Sequence, residues 1–209
     1  MLDGLRGAMK KIFTPPAKFL LKLGISPDAV TITGTLAVVV TALWAFPVGN
    51  LGWGSLLIGL FVFTDALDGT MARLQGRKGV WGAFLDSTLD RLADAAIFVG
   101  LAVYFLVRAD HTWSTTGAIA SVVCLVAGMM VSYSRARAEG LGLDATVGLI
   151  ERSDRLLISL LAACITGFTG IDAIAAIALI ALAAGSIFTL LQRMAHVYKR
   201  AQLAAAQED

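Results

Sequence analysis

Long apolar segments, each able to cross a lipid bilayer, constrain this chain more than any other feature of its sequence. A transmembrane helix needs about 20 mostly apolar residues, and inside lipid its backbone must be hydrogen-bonded within the segment. Of the 209 residues, 57% are hydrophobic and 15% are charged, whereas an ordinary soluble domain has about 25% charged residues. We therefore predict an all-α integral membrane protein. Its six transmembrane helices are expected at about residues 28–47, 52–74, 82–107, 114–139, 152–169 and 171–198.

The first 23 residues combine five basic side chains with leucine, isoleucine and phenylalanine. Such a basic amphipathic segment is typical of helices that lie in the headgroup region of a membrane. We expect an N-terminal amphipathic interfacial helix, which divides the chain into a juxtamembrane segment, residues 1–23, and a six-helix domain, residues 24–209. No cleavable signal peptide is expected, because the first segment lacks a continuous apolar core.

The basic residues predict how the chain is oriented in the membrane, since lysine and arginine are enriched in cytoplasmic loops. With six helices and a cytoplasmic amino terminus, 16 of the 17 basic residues fall on the cytoplasmic side, and Arg108 is the exception. We therefore expect a multi-pass protein of the cell membrane, with both termini and the active site facing the cytoplasm. Membrane lipid is an expected partner, and nucleic acid is not.

Two cysteines, Cys124 and Cys164, lie inside apolar segments. A thiol within an apolar helix is usually a buried side chain that packs like a small hydrophobic group. We therefore expect neither a disulfide nor a cysteine metal site.

Four aspartates interrupt the second and third apolar segments: Asp65, Asp68, Asp86 and Asp90. Each carboxylate at bilayer depth costs roughly 2.5–3.5 kcal/mol, so the group needs a positive partner. The first two are three residues apart and the last two are four apart, so each pair shares one face of its helix. Two such faces turned towards each other offer oxygen ligands to one or two divalent cations. The sequence therefore predicts a metal site for a phosphorylated ligand, the alternative being that some of these aspartates cap helices or pair with neighbouring arginines.

The spacing of this segment, written D-x2-D-G-x2-A-R-x8-G-x3-D-x3-D, resembles the signature of the CDP-alcohol phosphotransferase family, and every position is filled between Asp65 and Asp90. Members of that family transfer a substituted phosphate from a CDP-linked donor to an alcohol and release CMP. The resemblance implies a metal-dependent transferase that binds two ions of magnesium or manganese. It also implies a homodimer.

The resemblance further assigns roles to individual residues. Asp65, Asp68 and Asp86 would bind metal and, through it, the CDP diphosphate. Asp90 would share in metal binding or act as the general base on the incoming hydroxyl. The residues expected to contact CDP-diacylglycerol are Asp28, Thr31, Asp65, Asp68, Gly69, Ala72 and Arg73.

Two further aspartates are compatible with two roles each. Asp28 opens the first long helix, where it would contact the nucleotide base or simply cap the helix. Asp94 lies one turn beyond Asp90, outside the signature, and is as consistent with a structural role as with a catalytic one.

A second cluster, rich in arginine, concerns the acceptor alcohol. Arginine forks match phosphate oxygens, so the cluster predicts an acceptor that itself carries phosphate. Positive-inside topology alone also places arginines at these helix ends. The residues expected to bind the acceptor phosphate are Ser132, Arg135, Arg137, Arg152, Arg155 and Arg193.

The strings S-Y-S-R-A-R-A-E-G-L-G and G-L-I-E-R-S-D-R-L-L-I, which contain most of this cluster, resemble the branch of the family that uses inositol 1-phosphate. That resemblance implies CDP-diacylglycerol as donor, inositol 1-phosphate as acceptor and phosphatidylinositol phosphate as product. Glycerol 3-phosphate is the closest alternative acceptor, with phosphatidylglycerophosphate as its product.

Two other classes of membrane protein also place carboxylates among apolar helices. An intramembrane aromatic prenyltransferase binds magnesium through aspartates, but its two acidic motifs lie far apart in sequence, whereas here they are close together. A transporter also buries carboxylates, but it has no need for Gly69 and Ala72 at their fixed spacing, and 209 residues is short for one. We therefore favour the transferase.

Overall fold

The computed structural model describes residues 13–62, 64–75 and 79–208, apart from the side chains of residues 64–66 and 204–208. Every regular element in that part of the chain is a helix, which confirms the predicted all-α fold. Helix α1 covers residues 13–22, and the others are α2 (Pro27–Ala45), α3 (Leu51–Val62), α4 (Thr64–Leu74), α5 (Val80–Val107), α6 (His111–Glu139), α7 (Arg152–Thr169) and α8 (Asp172–Glu208). The first half of the expected amphipathic helix, residues 1–12, lies outside the described part, so that helix stays a prediction.

Within the described part of the chain, four helical segments are long and apolar enough to cross a membrane. They are α2, the segment Leu51–Leu74 that contains α3 and α4, α6, and α8 as far as Leu203. Helices α5 and α7 are less apolar, because each carries at least three charged residues towards its beginning. Length and composition thus support four spans, and the predicted total of six stays a prediction.

Six of the helices pack in a closed ring. Helix α2 packs against α5, α5 against α6, α6 against α8, α8 against α7, α7 against α3, and α3 against α2. Helix α4 packs against α2 and α3. It carries Asp65 and Asp68, and so brings to the ring the first half of the stretch from Asp65 to Asp90, which we call the acidic segment. In this order α5 and α7 stand opposite each other.

The apolar core is centred on α5 and its neighbours. Phe46, Leu101 and Phe105 are fully buried in it. At Gly100 an added Cβ would overlap the carbonyl oxygen of Ala42. Helices α2 and α5 can therefore approach this closely because α5 has a glycine there, as is common where helices pack in membranes.

Asp172, the first residue of α8, joins three elements at the end of the ring away from the acidic segment, which we call the far end. The Tyr104 hydroxyl donates a hydrogen bond of 2.6 Å to Asp172 Oδ1, and the Asp110 backbone N–H donates one of 2.8 Å to Asp172 Oδ2. The Asp172 carboxylate is buried. It therefore fastens α8 to the end of α5 and to the turn that leads into α6.

Helices α3 and α7 touch at the same far end, through two glycines. An added Cβ on Gly52 would lie 2.9 Å from the ring of Phe168, and one on Gly167 would overlap the backbone of Gly52. Gly170 ends α7 in the left-handed region, with φ of 71°, which favours glycine. The contact between the two helices is thus fixed by residues without side chains.

Both cysteines are free thiols, as predicted. Cys124 is buried, and its thiol donates a hydrogen bond of 3.2 Å to the carbonyl oxygen of Leu179. Cys164 is half-buried on α7.

Candidate active site

The acidic segment meets the beginning of α2 through one hydrogen bond. Asp68 is buried on α4, and the Thr31 hydroxyl donates to its Oδ2 atom at 2.5 Å. The same hydroxyl oxygen lies 3.1 Å from the carbonyl oxygen of Pro27. Thr31, a predicted donor-contact residue, therefore lies directly beside a predicted metal ligand.

Two carboxylates of α5, those of Asp86 and Asp90, lie near Asp68. Asp86 is exposed, and the side chain of Asp90 is 19% exposed. Both are close enough to Asp68 for their negative charges to repel its own. Asp65 belongs to α4, one turn before Asp68, and its side chain is outside the described residues. Asp68 of α4 therefore lies within electrostatic range of two carboxylates of α5.

This set of donors fits a hard divalent cation. Carboxylate oxygens are the ligands that magnesium and manganese prefer, and mutually repelling carboxylates among apolar helices need a positive counter-charge. No three of the described His, Cys, Asp or Glu side chains are grouped closely enough to hold one ion, and Asp65 is not among those side chains. The kind of donor therefore matches the predicted metal, with Asp65 as the remaining ligand candidate.

The backbone is bare where the nucleotide is expected. An added Cβ on Gly69 of α4, or on Gly82 of α5, would meet nothing within 4 Å. Ala72 is half-buried on α4. Arg73 bends back along its own helix, where its Nε donates a hydrogen bond of 2.9 Å to the Gly69 carbonyl oxygen and its Nη2 lies 3.4 Å from Thr70 Oγ1. Open space beside these glycines leaves room for a bulky ligand.

Helix α2 is capped by Ser26, whose Oγ accepts a hydrogen bond of 3.2 Å from the Ala29 backbone N–H. Asp28 lies in the first turn, where the helix dipole favours a negative charge, and is half-buried. The capping role that the sequence left open for Asp28 is therefore filled by Ser26.

Asp94 joins α5 to α7 through a network of arginines. Arg155 Nη2 donates a hydrogen bond of 3.2 Å to Asp94 Oδ2, and Arg152 Nε donates one of 3.2 Å to Asp94 Oδ1. Arg152 Nη2 also lies 2.9 Å from Asp90 Oδ1, and Arg91 Nε lies 3.8 Å from Asp94 Oδ2. Three arginines against two carboxylates leave this network with one surplus positive charge.

Arg155 is the most informative member of the network because it is only 1% exposed. Its Nε and Nη1 atoms have no hydrogen-bond partner among the described residues. The guanidinium packs against bare backbone of α6, since an added Cβ on Gly128 would lie 2.6 Å from Arg155 Cζ. A buried donor without a partner costs about 1–3 kcal/mol, so these nitrogens point to a missing acceptor such as a phosphate.

A cavity of about 1430 Å³ lies between α3, α5, α6, α7 and α8. One wall, which we call the polar wall, contains Ser132, Arg135, Glu139, Glu151, Arg152, Arg155 and Arg193. The apolar lining residues, which we call the apolar wall, are Leu56, Leu60, Met129, Met130, Leu157, Leu160 and Leu161. Five of the six predicted acceptor residues therefore lie on the polar wall, whereas Arg137 is exposed on α6 and is not one of its described lining residues.

Two arginines of the polar wall are engaged by other groups. Arg135 Nε donates a hydrogen bond of 2.8 Å to Glu139 Oε1. Arg193 is 5% exposed, and its Nε and Nη1 donate to the carbonyl oxygens of Val147 and Val131 at 2.8 and 2.6 Å. Arg193 thus fastens the segment between α6 and α7 to the helices, in addition to lining the cavity.

Arg91, Asp94 and Gly128 contribute to this site but belong to none of the predicted metal, donor or acceptor sets. The spacing of Asp90 and Asp94 was a usable signal, because residues four apart share one helix face. No comparable signal existed for Gly128. It lies 27 positions before Arg155 on another helix, so only the tertiary structure brings the two together.

Comparison with known proteins gives the same family as the signature. The profile of the CDP-alcohol phosphatidyltransferase family matches residues 24–191. A phosphatidylinositol phosphate synthase of Streptomyces avermitilis is 45% identical over 207 residues, which cover 96% of this chain and 84% of the relative. Another, from Cutibacterium acnes, is 50% identical over 167 residues, which cover 80% of this chain and 79% of the relative.

Solved structures agree with these relatives. The crystal structure of Mycobacterium tuberculosis phosphatidylinositol phosphate synthase with CDP-DAG bound is 40% identical, with a TM-score of 0.84 over 90% of this chain and 94% of that chain. The same synthase in complex with manganese and citrate is 39% identical, with a TM-score of 0.82 over 89% of this chain and 88% of that chain. The present chain is therefore a transferase that belongs to the CDP-alcohol phosphatidyltransferase family.

Proposed function

We propose that the chain transfers the phosphatidyl group of CDP-diacylglycerol to a hydroxyl of inositol 1-phosphate, with phosphatidylinositol phosphate and CMP as products. One observation carries the choice of a phosphorylated acceptor: Arg155 is buried on the polar wall, and two of its nitrogens have no partner among the described residues. Inositol 1-phosphate is preferred among phosphorylated alcohols because relatives at 45% and 50% identity are phosphatidylinositol phosphate synthases.

Asp65, Asp68, Asp86 and Asp90 would hold two divalent cations, magnesium or manganese. Such ions would offset the negative charge of the donor diphosphate and stabilise the charge that grows on the departing CMP. The relative's complexes with CDP-DAG and with manganese and citrate support this assignment. Thr31 contributes by holding the Asp68 carboxylate in one orientation through its hydroxyl.

The donor nucleotide would lie against the bare face of α4. Gly69 has open space beside it, and Ala72 leaves that face small. Arg73 is exposed one turn further on, within reach of phosphate oxygens. Asp28 and Thr31, at the beginning of α2, would contact the nucleotide from the other side.

The reaction itself forms one P–O bond and breaks another. A hydroxyl oxygen of the acceptor attacks the phosphorus that carries the diacylglycerol, and the bond from this phosphorus to the oxygen of CMP breaks. Asp90 accepts the proton of the attacking hydroxyl. Arg152 Nη2 lies 2.9 Å from Asp90 Oδ1, so it can hold this carboxylate in one orientation.

The acceptor phosphate would bind at the polar wall, between Arg155, Arg152 and Ser132. Arg135 and Arg193 line the same wall and add positive charge. A neutral acceptor such as inositol or serine would leave the buried donors of Arg155 unpaired, and sites built for a polar group reject ligands that lack it. Phosphorylated acceptors are therefore favoured. Of the predicted set, Arg137 is the member least supported by position.

The acyl chains of the donor would leave the site through the apolar wall. Leu56 and Leu60 of α3, and Leu157 and Leu161 of α7, line the cavity and are 50%, 63%, 60% and 53% exposed. Helices α3 and α7 touch at the far end, and we infer that they diverge towards the end that holds the acidic segment. We propose that this gap is the lateral opening to the membrane.

We also propose that α5 and α7 cross the membrane, which gives six spans. Their charged residues pair with each other inside the ring, as ionisable groups within membranes usually do. With the basic residues inside, both termini and the site face the cytoplasm in the cell membrane. A homodimer is proposed from the family resemblance.

The proposal is tested by measuring CMP release. Purified protein, CDP-diacylglycerol and magnesium are combined with inositol 1-phosphate, glycerol 3-phosphate, inositol or serine. We expect release with inositol 1-phosphate and little with inositol. If CMP is released with glycerol 3-phosphate and not with inositol 1-phosphate, glycerol 3-phosphate is the acceptor. If neither phosphorylated alcohol gives CMP release, the proposal is overturned.

A further inference from the structure

We propose that Gly128 is a positioning residue for the acceptor, because its missing side chain forms the surface on which Arg155 is held. The idea rests on the proposed function only in requiring an acceptor that carries phosphate. Gly128 itself touches neither substrate. It acts through the guanidinium of Arg155, which it places between α6 and the Asp94 carboxylate.

The contact is too close for any side chain at position 128. A Cβ there would lie 2.6 Å from Arg155 Cζ, 2.8 Å from Nε and 2.9 Å from Nη2. Carbon atoms in contact are normally about 3.5–4.0 Å apart, so one of the two groups would have to move. A methyl group at this point of α6 would therefore displace the guanidinium of Arg155.

Arg155 has little room to retreat from such a group. It is 1% exposed, and Asp94 Oδ2 holds its Nη2 at 3.2 Å on the side of α5. The guanidinium thus lies between a carboxylate on one helix and bare backbone on another. These two contacts fix both its location and the direction of its remaining N–H groups.

Those remaining groups belong to a side chain that lines the cavity proposed for the acceptor. Nε and Nη1 have no partner among the described residues, and Arg155 lines the cavity together with Ser132. Ser132 belongs to the same stretch of α6, since its hydroxyl donates a hydrogen bond of 3.1 Å to the Gly128 carbonyl oxygen. Recognition of phosphate by arginine depends on the placement of a planar set of donors, so displacing the guanidinium weakens binding even though its charge remains.

The inference is tested first with Gly128→Ala. We expect the KM for inositol 1-phosphate to rise by about tenfold, which corresponds to the loss of one hydrogen bond to a charged group. The KM for CDP-diacylglycerol should change much less. Inhibition by inorganic phosphate, used as a competitor of the acceptor, should weaken by a similar factor. Gly140→Ala, at the C-cap of the same helix, is the matched control, because its Cβ would meet its nearest neighbour at 3.4 Å, an ordinary contact.

A double-mutant cycle separates this role from general damage to packing. If Gly128 acts through Arg155, adding Gly128→Ala to an Arg155→Ala protein should change the acceptor KM by less than about twofold, because the three contacted atoms are gone. Effects of equal size in both backgrounds would overturn the inference. A rise in both KM values together would also overturn it.

Asp94→Glu gives a second test if Gly128→Ala does not fold. It keeps the charge and pushes the guanidinium from the opposite side by one methylene, so the acceptor KM should again rise while the donor KM does not. An unchanged acceptor KM in a folded Asp94→Glu protein would overturn the inference. The proposed function fails separately, when the wild-type chain releases no CMP with any phosphorylated acceptor.

Discussion

Asp94 on α5 accepts a hydrogen bond of 3.2 Å from Arg155 on α7, and this contact crosses the interior of the helix ring. The two helices stand opposite each other, so the pair links two sides of the cavity. A buried ion pair is weak evidence for stability, because desolvation offsets much of the attraction. The pair also fixes the position of Arg155, two of whose buried nitrogens have no partner among the described residues.

Replacing Arg155 with alanine should weaken the binding of the phosphorylated acceptor far more than the binding of the donor. Loss of hydrogen bonds to a charged group is worth about 1.5–3 kcal/mol, which predicts a rise of about 10- to 150-fold in the KM for inositol 1-phosphate. Steady-state CMP release at varied concentrations of each substrate measures both constants. Arg137→Ala is the comparison, since Arg137 is exposed away from the described cavity wall. Equal changes in both KM values would indicate a structural role for Arg155.

Asp90→Asn should remove the proton acceptor while leaving the donor able to bind. General-base catalysis contributes about 10²–10⁴-fold, so kcat should fall by that amount. Stopped assays give the rate, and direct titration with CDP-diacylglycerol gives the affinity. Asp110→Asn, at the far end of the ring, controls for loss of a carboxylate in itself. A normal rate in Asp90→Asn would exclude this residue as the base.

Removing divalent metal should abolish CMP release, because the facing carboxylates would then repel the donor diphosphate. Treatment with a chelator followed by addition of magnesium or manganese should restore the activity. Asp68→Asn should raise the metal concentration needed for half-maximal rate. Activity that persists in excess chelator would contradict the metal assignment.

The junction at Asp172 should matter for stability and not for catalysis. Asp172→Ala leaves the Tyr104 hydroxyl and the Asp110 N–H without their acceptor, so the free energy of unfolding should fall by about 2–4 kcal/mol. Tyr104→Phe removes only one of the two bonds and should cost about half as much. Thermal unfolding in one detergent ranks the variants. Similar losses in both variants would show that the Asp110 contact contributes nothing.

Helix positions could be predicted well where local signals mark both ends. Helix α7 covers Arg152–Thr169, as expected, because Glu151 and Asp154 form a capping box and Gly170 ends the helix. The expected end of α8 at residue 198 was wrong, since the helix continues to Glu208. Hydropathy marks the apolar part of a helix, whereas the alanine and glutamine residues beyond it continue the helix by propensity.

The candidate site could likewise be predicted only where its residues are close together in sequence. The i,i+3 and i,i+4 spacing of the aspartates is a local property, so it could be read from the sequence. The pairing of Asp94 with Arg155 could not, because 61 positions separate them and only the order of helices in the ring brings them together. The contact between Thr31 and Asp68 has the same tertiary origin.

The cavity has an arginine-rich wall and a leucine-rich wall, and this has a kinetic consequence. A water-soluble sugar phosphate and a membrane lipid would reach it from two different phases. The rate should then follow the bulk molarity of the first reactant but the surface mole fraction of the second. Diluting the lipid with inert detergent, at fixed total amounts of both substrates, would slow the enzyme through the second reactant alone.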